Sequence, residues 1–185
     1  MNLKSLILRI TQSLDWHPER CLTFSSLVVG LINHNNVQHH ALSLGFKGAT
    51  PLKSRLERIR RFFAKQVFDY GAFARAMVLG LFKQIPKMHL ILDRTNWKFG
   101  KKDINYLILA GRVGKVTFPL FYKLLPHRGC SDLESRIELL EKFRDTFGFD
   151  KILSFTADRE FIGKDWLLYL CRYQIPFLSA LRITA

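Results

Sequence analysis

Two aspartates stand where chemistry could occur. Asp93 follows the apolar run His-Leu-Ile-Leu in HLILDRTNWKFG, and Asp158 closes KILSFTAD before Arg159. Each has a local reading: Asp93 forms a turn after a strand, and Asp158 caps a helix beginning near Gly163. The joint reading is different in kind. If the two strands are neighbours, the carboxylates meet, and like charges at that range repel unless a cation lies between them. A hard divalent ion, magnesium or manganese in its stead, suits a few carboxylate oxygens with positions left for water and phosphate. Two such ions, about 3.5–4 Å apart, activate the attacking oxygen and stabilise the leaving one in phosphodiester chemistry.

Basic residues supply the complementary half of that chemistry. In LKSRLERIRRFFAKQVF, Leu52, Leu56, Ile59, Phe63 and Val67 recur at helical spacing and predict the apolar face. Arg55, Arg58, Arg61 and Lys65 then form a stripe away from it, which is what phosphate contact requires; a solvated charged face is the competing reading. Lys98, Lys101 and Lys102 are expected in the turn after Asp93, beside the cation, with a charged hairpin tip as the alternative. Arg159 offers a fork of donors to phosphate next to Asp158. Trp97 reads either as a platform for an unpaired base or as core.

These residues need elements to hold them. Residues 1–86 are helical in pattern: Leu3, Leu6, Ile7 and Ile10 share a face, an apolar segment covers 20–33, and Thr50-Pro51 predicts the start of the basic helix. From 87 the period changes to strands. MHLILD, DINYLILAG and KVTFPLFYKLL form a meander whose second turn is Arg-Val-Gly. Ser131 and Glu134 predict a capping box ahead of a helix whose apolar face is Leu133, Ile137, Leu140, Phe143 and Phe147. KILSFTAD, the helix GKDWLLYLCRYQ and the strand PFLSALRI complete the order. Three strands, helix, strand, helix, strand is the layout of a ribonuclease H-like fold, in which strands one and four are adjacent.

Bulk composition agrees with a folded chain that meets a polyanion. The 185 residues are 48% hydrophobic, carry a formal charge of +14 and have enough length for a real core. Residues 1–86 hold 12 basic against 4 acidic side chains, so charge is denser there and favours nucleic-acid docking by that half. Cys21, Cys130 and Cys171 are far apart and lack metal-ligand spacing, which predicts reduced, semi-buried thiols and no structural zinc. No apolar run approaches the roughly 20 residues of a membrane span. Arg9 interrupts the N-terminal run and no cleavage site follows, so a soluble, cytoplasmic protein is expected.

LDRTNW, followed at a distance by TADREFIG in this strand order, resembles the DDE transposases of bacterial insertion sequences, specifically family four. The resemblance spans essentially the whole chain: a helical DNA-binding region over 1–86, then an incomplete ribonuclease H-like catalytic core over 87–185. It implies that Asp93 and Asp158 are the first two acidic ligands for magnesium. It also implies a nucleoid-associated bacterial enzyme that cuts and joins DNA by hydrolysis and strand transfer, through a hairpin. The partner would be double-stranded DNA, both element terminal repeats and target, with a homodimer in the synaptic complex. One feature departs from the pattern. The third acidic ligand belongs to a YxxRxxxE motif, which is absent, and Glu160 lies too close to Asp158 to replace it. The expectation is therefore a front portion, truncated or encoded as the first of two frameshift-joined frames, and inactive alone.

Two other functions fit parts of the pattern. A non-catalytic DNA-binding chain could inhibit transposition by occupying element ends. A ribonuclease H-like nuclease or Holliday-junction resolvase is the third reading, against which the helical first half and the ADREF segment argue.

Overall fold

The computed structural model describes residues 7, 11, 14–100, 102–125, 129 and 131–179, with the side chains of Phe99, Lys102, Arg159 and Ser179 left aside. The chain divides into two compact units, Met1–Lys83 and Gln84–Ala185. No helix among the described residues is long and apolar enough to cross a membrane.

The first unit is helical: α1 Pro18–His34, α2 His39–Ser43, α3 Leu52–Lys65 and α4 Tyr70–Phe82. His17 starts α1 by accepting the Glu19 N–H at its Nδ1, with Pro18 in the first turn, where a missing N–H costs nothing. Asn35, at φ 46°, ends it in the left-handed conformation and returns its N–H to the Leu31 carbonyl. Helix α1 and the α2 end approach closely through two glycines. A Cβ on Gly45 would lie 2.1 Å from the Ser26 carbonyl oxygen, and one on Gly30 would lie 2.5 Å from that of Leu42. The core beneath is Leu27, Leu42, Phe46, Ile59 and Phe62, with Trp16, Phe24 and Phe68 packed against it. Phe24 also meets Phe73 edge-on at 5.7 Å, which joins α1 to α4.

Helix α3 is rotated from its expected orientation. Ile59 and Phe62 are its buried residues, while Leu52, Phe63 and Val67 are exposed. The adjacent phenylalanines made the face ambiguous by one position; Phe62 fills the core and Phe63 stacks on His39 outside it. Thr50 does not cap α3 through its side chain: Pro51 is the N-cap residue, and the Thr50 carbonyl accepts from Arg55.

The second unit is α/β. Strands β1 Met88–Phe99, β2 Lys102–Val113 and β3 Val116–Leu125 form an antiparallel meander, followed by α5 Leu133–Phe147, β4 Ile152–Ala157, α6 Lys164–Arg172 and β5 Phe177–Ser179. The sheet order is β3-β2-β1-β4-β5, with β4 parallel to both β1 and β5. Strands one and four are neighbours, as the element order implied.

One face of the sheet is the core. Met88, Leu90 and Leu92 alternate inward on β1, Leu107 and Leu109 on β2, and Leu139, Leu140, Phe143 and Phe147 cover them from α5. A bulge in the β2/β3 pairing leaves Leu120 without an opposite residue, which lets Leu120 and Phe121 both turn inward. The β2/β3 turn is Gly114-Lys115, one position later than Arg-Val-Gly suggested, and Gly114 takes φ 59°. The cap of α5 likewise falls one residue on: the Asp132 carboxylate accepts the Ser135 N–H at 2.6 Å. Ser131 is buried and instead accepts from the Arg136 guanidinium. Leu140, Phe143 and Phe147 hold the expected apolar face, but Leu139 replaces Leu133 and Ile137 at its buried centre.

Candidate functional site

Asp93 does not end its strand. β1 continues six residues beyond it to Phe99, paired throughout with β2, so that Asp93 lies opposite Ile108. What ends there is the pairing with β4. The parallel ladder runs His89↔Ser154, Leu90↔Phe155, Ile91↔Thr156, Leu92↔Ala157 and stops. Asp93 and Asp158 are the next residue on each strand. Adjacent strands lie about 4.8 Å apart, and both aspartates are exposed, Asp158 at the edge of a small cavity lined by Phe155, Phe161, Trp166 and Leu170. Two carboxylates on neighbouring strands with solvent access fit a hard divalent ion that takes one or two protein carboxylates and completes its shell with water and phosphate. Among the described residues there is no cluster of three or more His, Cys, Asp or Glu able to hold a metal.

The turn after β4 is held from several sides. The Asp158 carbonyl accepts the Phe161 N–H at 3.0 Å, closing a single 3-10 turn over Arg159–Phe161. Asp158 therefore does not cap α6, whose N-cap is Gly163 with no side-chain cap bond. Phe161 is buried, and the Arg136 guanidinium lies over its ring at 5.2 Å. Arg136 is itself fixed by the Ser131 Oγ at 2.9 Å and the Ser131 carbonyl at 2.6 Å. Glu160 accepts two bonds from Arg94, Nε to Oε1 and Nη2 to Oε2, both 2.8 Å. Arg94, next to Asp93, thus ties β1 to the residue two beyond Asp158. In the sequence Glu160 reads as a surface or DNA-proximal residue, and no local spacing signals its pairing with Arg94 across 66 residues.

The other anticipated residues divide into those free to meet phosphate and those committed to the fold. Arg55 is committed: its guanidinium donates to the carbonyls of Gly48 at 2.7 Å, Thr50 at 2.8 Å and Ser43 at 3.5 Å. It belongs to the loop between α2 and α3 rather than to the basic stripe, a consequence of the one-position rotation of α3. Arg58, Arg61 and Lys65 are exposed, as is Arg60, which the stripe had not included. Glu57 pairs with Arg60 at 3.8 Å and Arg61 at 3.3 Å, and Glu19 approaches Arg58 at 4.0 Å. Such solvent-screened contacts are worth about 0–1 kcal/mol and are readily exchanged for phosphate.

Lys98 is not in a turn beside Asp93. It lies in β1, in register with Asp103, and at about 3.3 Å per residue stands roughly 17 Å along the strand from Asp93. Lys102 opens β2 opposite Phe99, its side chain outside the described set, and Lys101 lies outside the described residues altogether. Lys98 and the Lys102 backbone thus belong to the hairpin end. Thr95, Trp97 and Phe99 alternate with polar residues, a period-two signal that could have extended the strand. The Arg159 backbone lies in the 3-10 turn, and its side chain is also outside the described set. Trp97 is not core: it is 61% exposed and meets Tyr106 at 6.1 Å, which meets Tyr122 at 5.8 Å.

Electrostatics elsewhere in the unit are structural. Lys123 on β3, with Lys142 behind it, donates to Glu138 on α5 and holds its carboxyl below the usual carboxylate range. Burial, with a hydrogen bond to Glu141, pushes the Tyr169 phenol up. Cys21 and Cys171 are free thiols, the first half-buried and the second exposed; Cys130 lies outside the described residues.

No protein-family model matches this chain, and no curated protein matches it.

Proposed function

We propose that the chain is a DNA transposase, or a portion of one, with a ribonuclease H-like second unit that holds magnesium at Asp93 and Asp158. The observation that carries the reading is the β1/β4 register: the ladder stops at Leu92↔Ala157, and an aspartate follows on each strand. The sheet order β3-β2-β1-β4-β5, antiparallel on one side of β1 and parallel on the other, supports the fold assignment. The resemblance of LDRTNW and TADREFIG to family-four insertion-sequence transposases supports the reaction class.

Bound there, magnesium or manganese would supply Lewis-acid activation of the attacking and leaving oxygens of a phosphodiester. The chain's own residues do the rest. Asp93 and Asp158 hold the cation from the points where β1 and β4 leave their shared ladder. The exposed α3 cations Arg58, Arg61 and Lys65 hold duplex phosphates on a rigid element, with counterion release as the driving term. The hairpin lysine Lys98, about 17 Å from the carboxylates along β1, serves a phosphate other than the one being cut.

Ferrous iron in place of magnesium, with ascorbate, tests the site directly, since it cuts the protein backbone beside the bound ion. Cuts near both Asp93 and Asp158 that magnesium suppresses support the reading; cuts at neither position reject it. A second reading, DNA binding without cleavage, draws on the lack of a third metal-ligating group among the described residues and on the engagement of Glu160 by Arg94. Backbone cuts at both aspartates, with duplex binding but no nicking of DNA in magnesium, would favour it.

A further inference from the structure

We infer that Arg94 and Glu160 are positioning residues for the two-aspartate cation site, setting how far apart Asp93 and Asp158 stand. The inference rests on the cation reading above and adds a role for two charged residues that are not themselves ligands.

The need for such a device follows from the register. Past Leu92↔Ala157 no ladder bond joins β1 to β4, so the sheet alone does not fix Asp158 against Asp93. The 3-10 turn of Arg159–Phe161 must be anchored by side chains. It has two anchors. Arg136 reaches it from α5 through the Phe161 ring, which settles the turn against the helix layer. Arg94 reaches it from β1, and this anchor alone of the two starts from the strand that carries the other aspartate.

The geometry of the Arg94 contact suits that task. Two parallel N–H···O bonds of 2.8 Å fix the orientation of the carboxylate as well as its distance. The side chains are 20% and 25% exposed, so water competes weakly for them. Arg94 is bonded covalently to Asp93, and Glu160 is separated from Asp158 by one residue. The path from carboxylate to carboxylate through the pair is therefore short and stiff. Partners that orient metal ligands without touching the metal commonly change affinity by about 10–100-fold when removed.

Charge alone and positioning give opposite signs for one substitution. If Arg94 were only a nearby positive charge, Arg94→Met would relieve repulsion and tighten manganese binding. If Arg94 positions the site, the same substitution loosens it. Mn2+ is titrated into the intact 185-residue protein at neutral pH and free Mn2+ is read by electron paramagnetic resonance. Circular dichroism selects a temperature at which each variant is folded. The expected result is about tenfold weaker binding in Arg94→Met. Arg94→Lys, which keeps the charge and loses the fork, should fall between it and the parent. Binding in Arg94→Met as tight as the parent's or tighter overturns the inference. Should that variant fail to fold, Arg94→Lys decides: about threefold weakening supports the inference and unchanged affinity overturns it. Asp93→Asn separates the two levels of argument. If the parent binds no Mn2+, or Asp93→Asn binds it equally well, the cation reading itself fails and this inference falls with it.

Discussion

Leu92 and Ala157 form the last pair of the parallel β1/β4 ladder, so Asp93 and Asp158 follow at equivalent positions on adjacent strands. Without a cation, two carboxylates at that spacing oppose each other. Asp93→Asn retains an oxygen to accept the Arg94 N–H, now bonded at 2.8 Å, and removes one of the charges. In chelator at pH 7 this variant should gain stability of up to about 1 kcal/mol, the scale of a solvent-exposed charge pair. Millimolar magnesium should raise the melting temperature of the parent and leave the variant unmoved. Thermal denaturation with and without magnesium measures both; a parent that ignores magnesium would contradict the assignment.

The basic helix gives a prediction in two parts. Arg58→Ala, Arg61→Ala or Lys65→Ala should weaken duplex binding for any sequence and lower the slope of log K against log salt by about 1 each. Arg55→Ala should do something else. It releases three backbone carbonyls and should cost about 1.5–3 kcal/mol of stability, with an unchanged salt slope once folded protein alone is counted. Anisotropy titrations at several salt concentrations, alongside urea melts, separate the two classes.

Glu138 should produce a pH signature. Its carboxyl is held below the ordinary value of 4.5 by Lys123 first and Lys142 second. A depressed carboxyl contributes stability above its unfolded pKa and loses it as pH falls through the folded one. Glu138→Gln should thus be less stable than the parent at neutral pH, by about 0.5 kcal/mol given the solvent screening. The difference should close below pH 4.5, where the parent loses the same interaction. Urea melts across that range test the sign; a gap that widens on acidification would refute it.

Gly45 offers a test of packing in the helical unit. A Cβ there would sit 2.1 Å from the Ser26 carbonyl and 2.5 Å from the Gly30 nitrogen, both backbone atoms that cannot swing away. Gly45→Ala should destabilise that unit by about 2 kcal/mol or more. Gly48→Ala, where a Cβ meets nothing within 4 Å, carries only the strain of φ 94° and should cost about 1–2 kcal/mol. Near-UV circular dichroism of Trp16 and its aromatic neighbours should follow the first more strongly than the second.

The change from helical to strand periodicity falls at 86 in the sequence, three residues from the division between units after Lys83. The meander and the adjacency of its first strand to the fourth were also legible, because buried strands announce themselves by apolar runs such as HLIL and ILSF. What the sequence hid was orientation at one-residue resolution. Phe62-Phe63 offered two equally apolar choices for the α3 face, and the choice moved Arg55 from stripe to loop anchor. β1 past Asp93 does carry a strand signal: Thr95, Trp97 and Phe99 alternate with Arg94, Asn96 and Lys98, but after the continuous apolar run the aspartate reads as a turn. The Arg94–Glu160 pair joins residues that only the parallel register brings together, and no local pattern encodes that partnership.

The parallel register also bears on when, during folding, the proposed cation site would come into being. The meander closes through tight turns, whereas His89 finds Ser154 only after a loop of 65 residues has been drawn shut. On loop-closure entropy, Asp93 should reach its hairpin surroundings before Asp158 arrives beside it. A chain arrested with its meander complete and β4 undocked would retain most of its antiparallel hydrogen bonds and have no place for the ion.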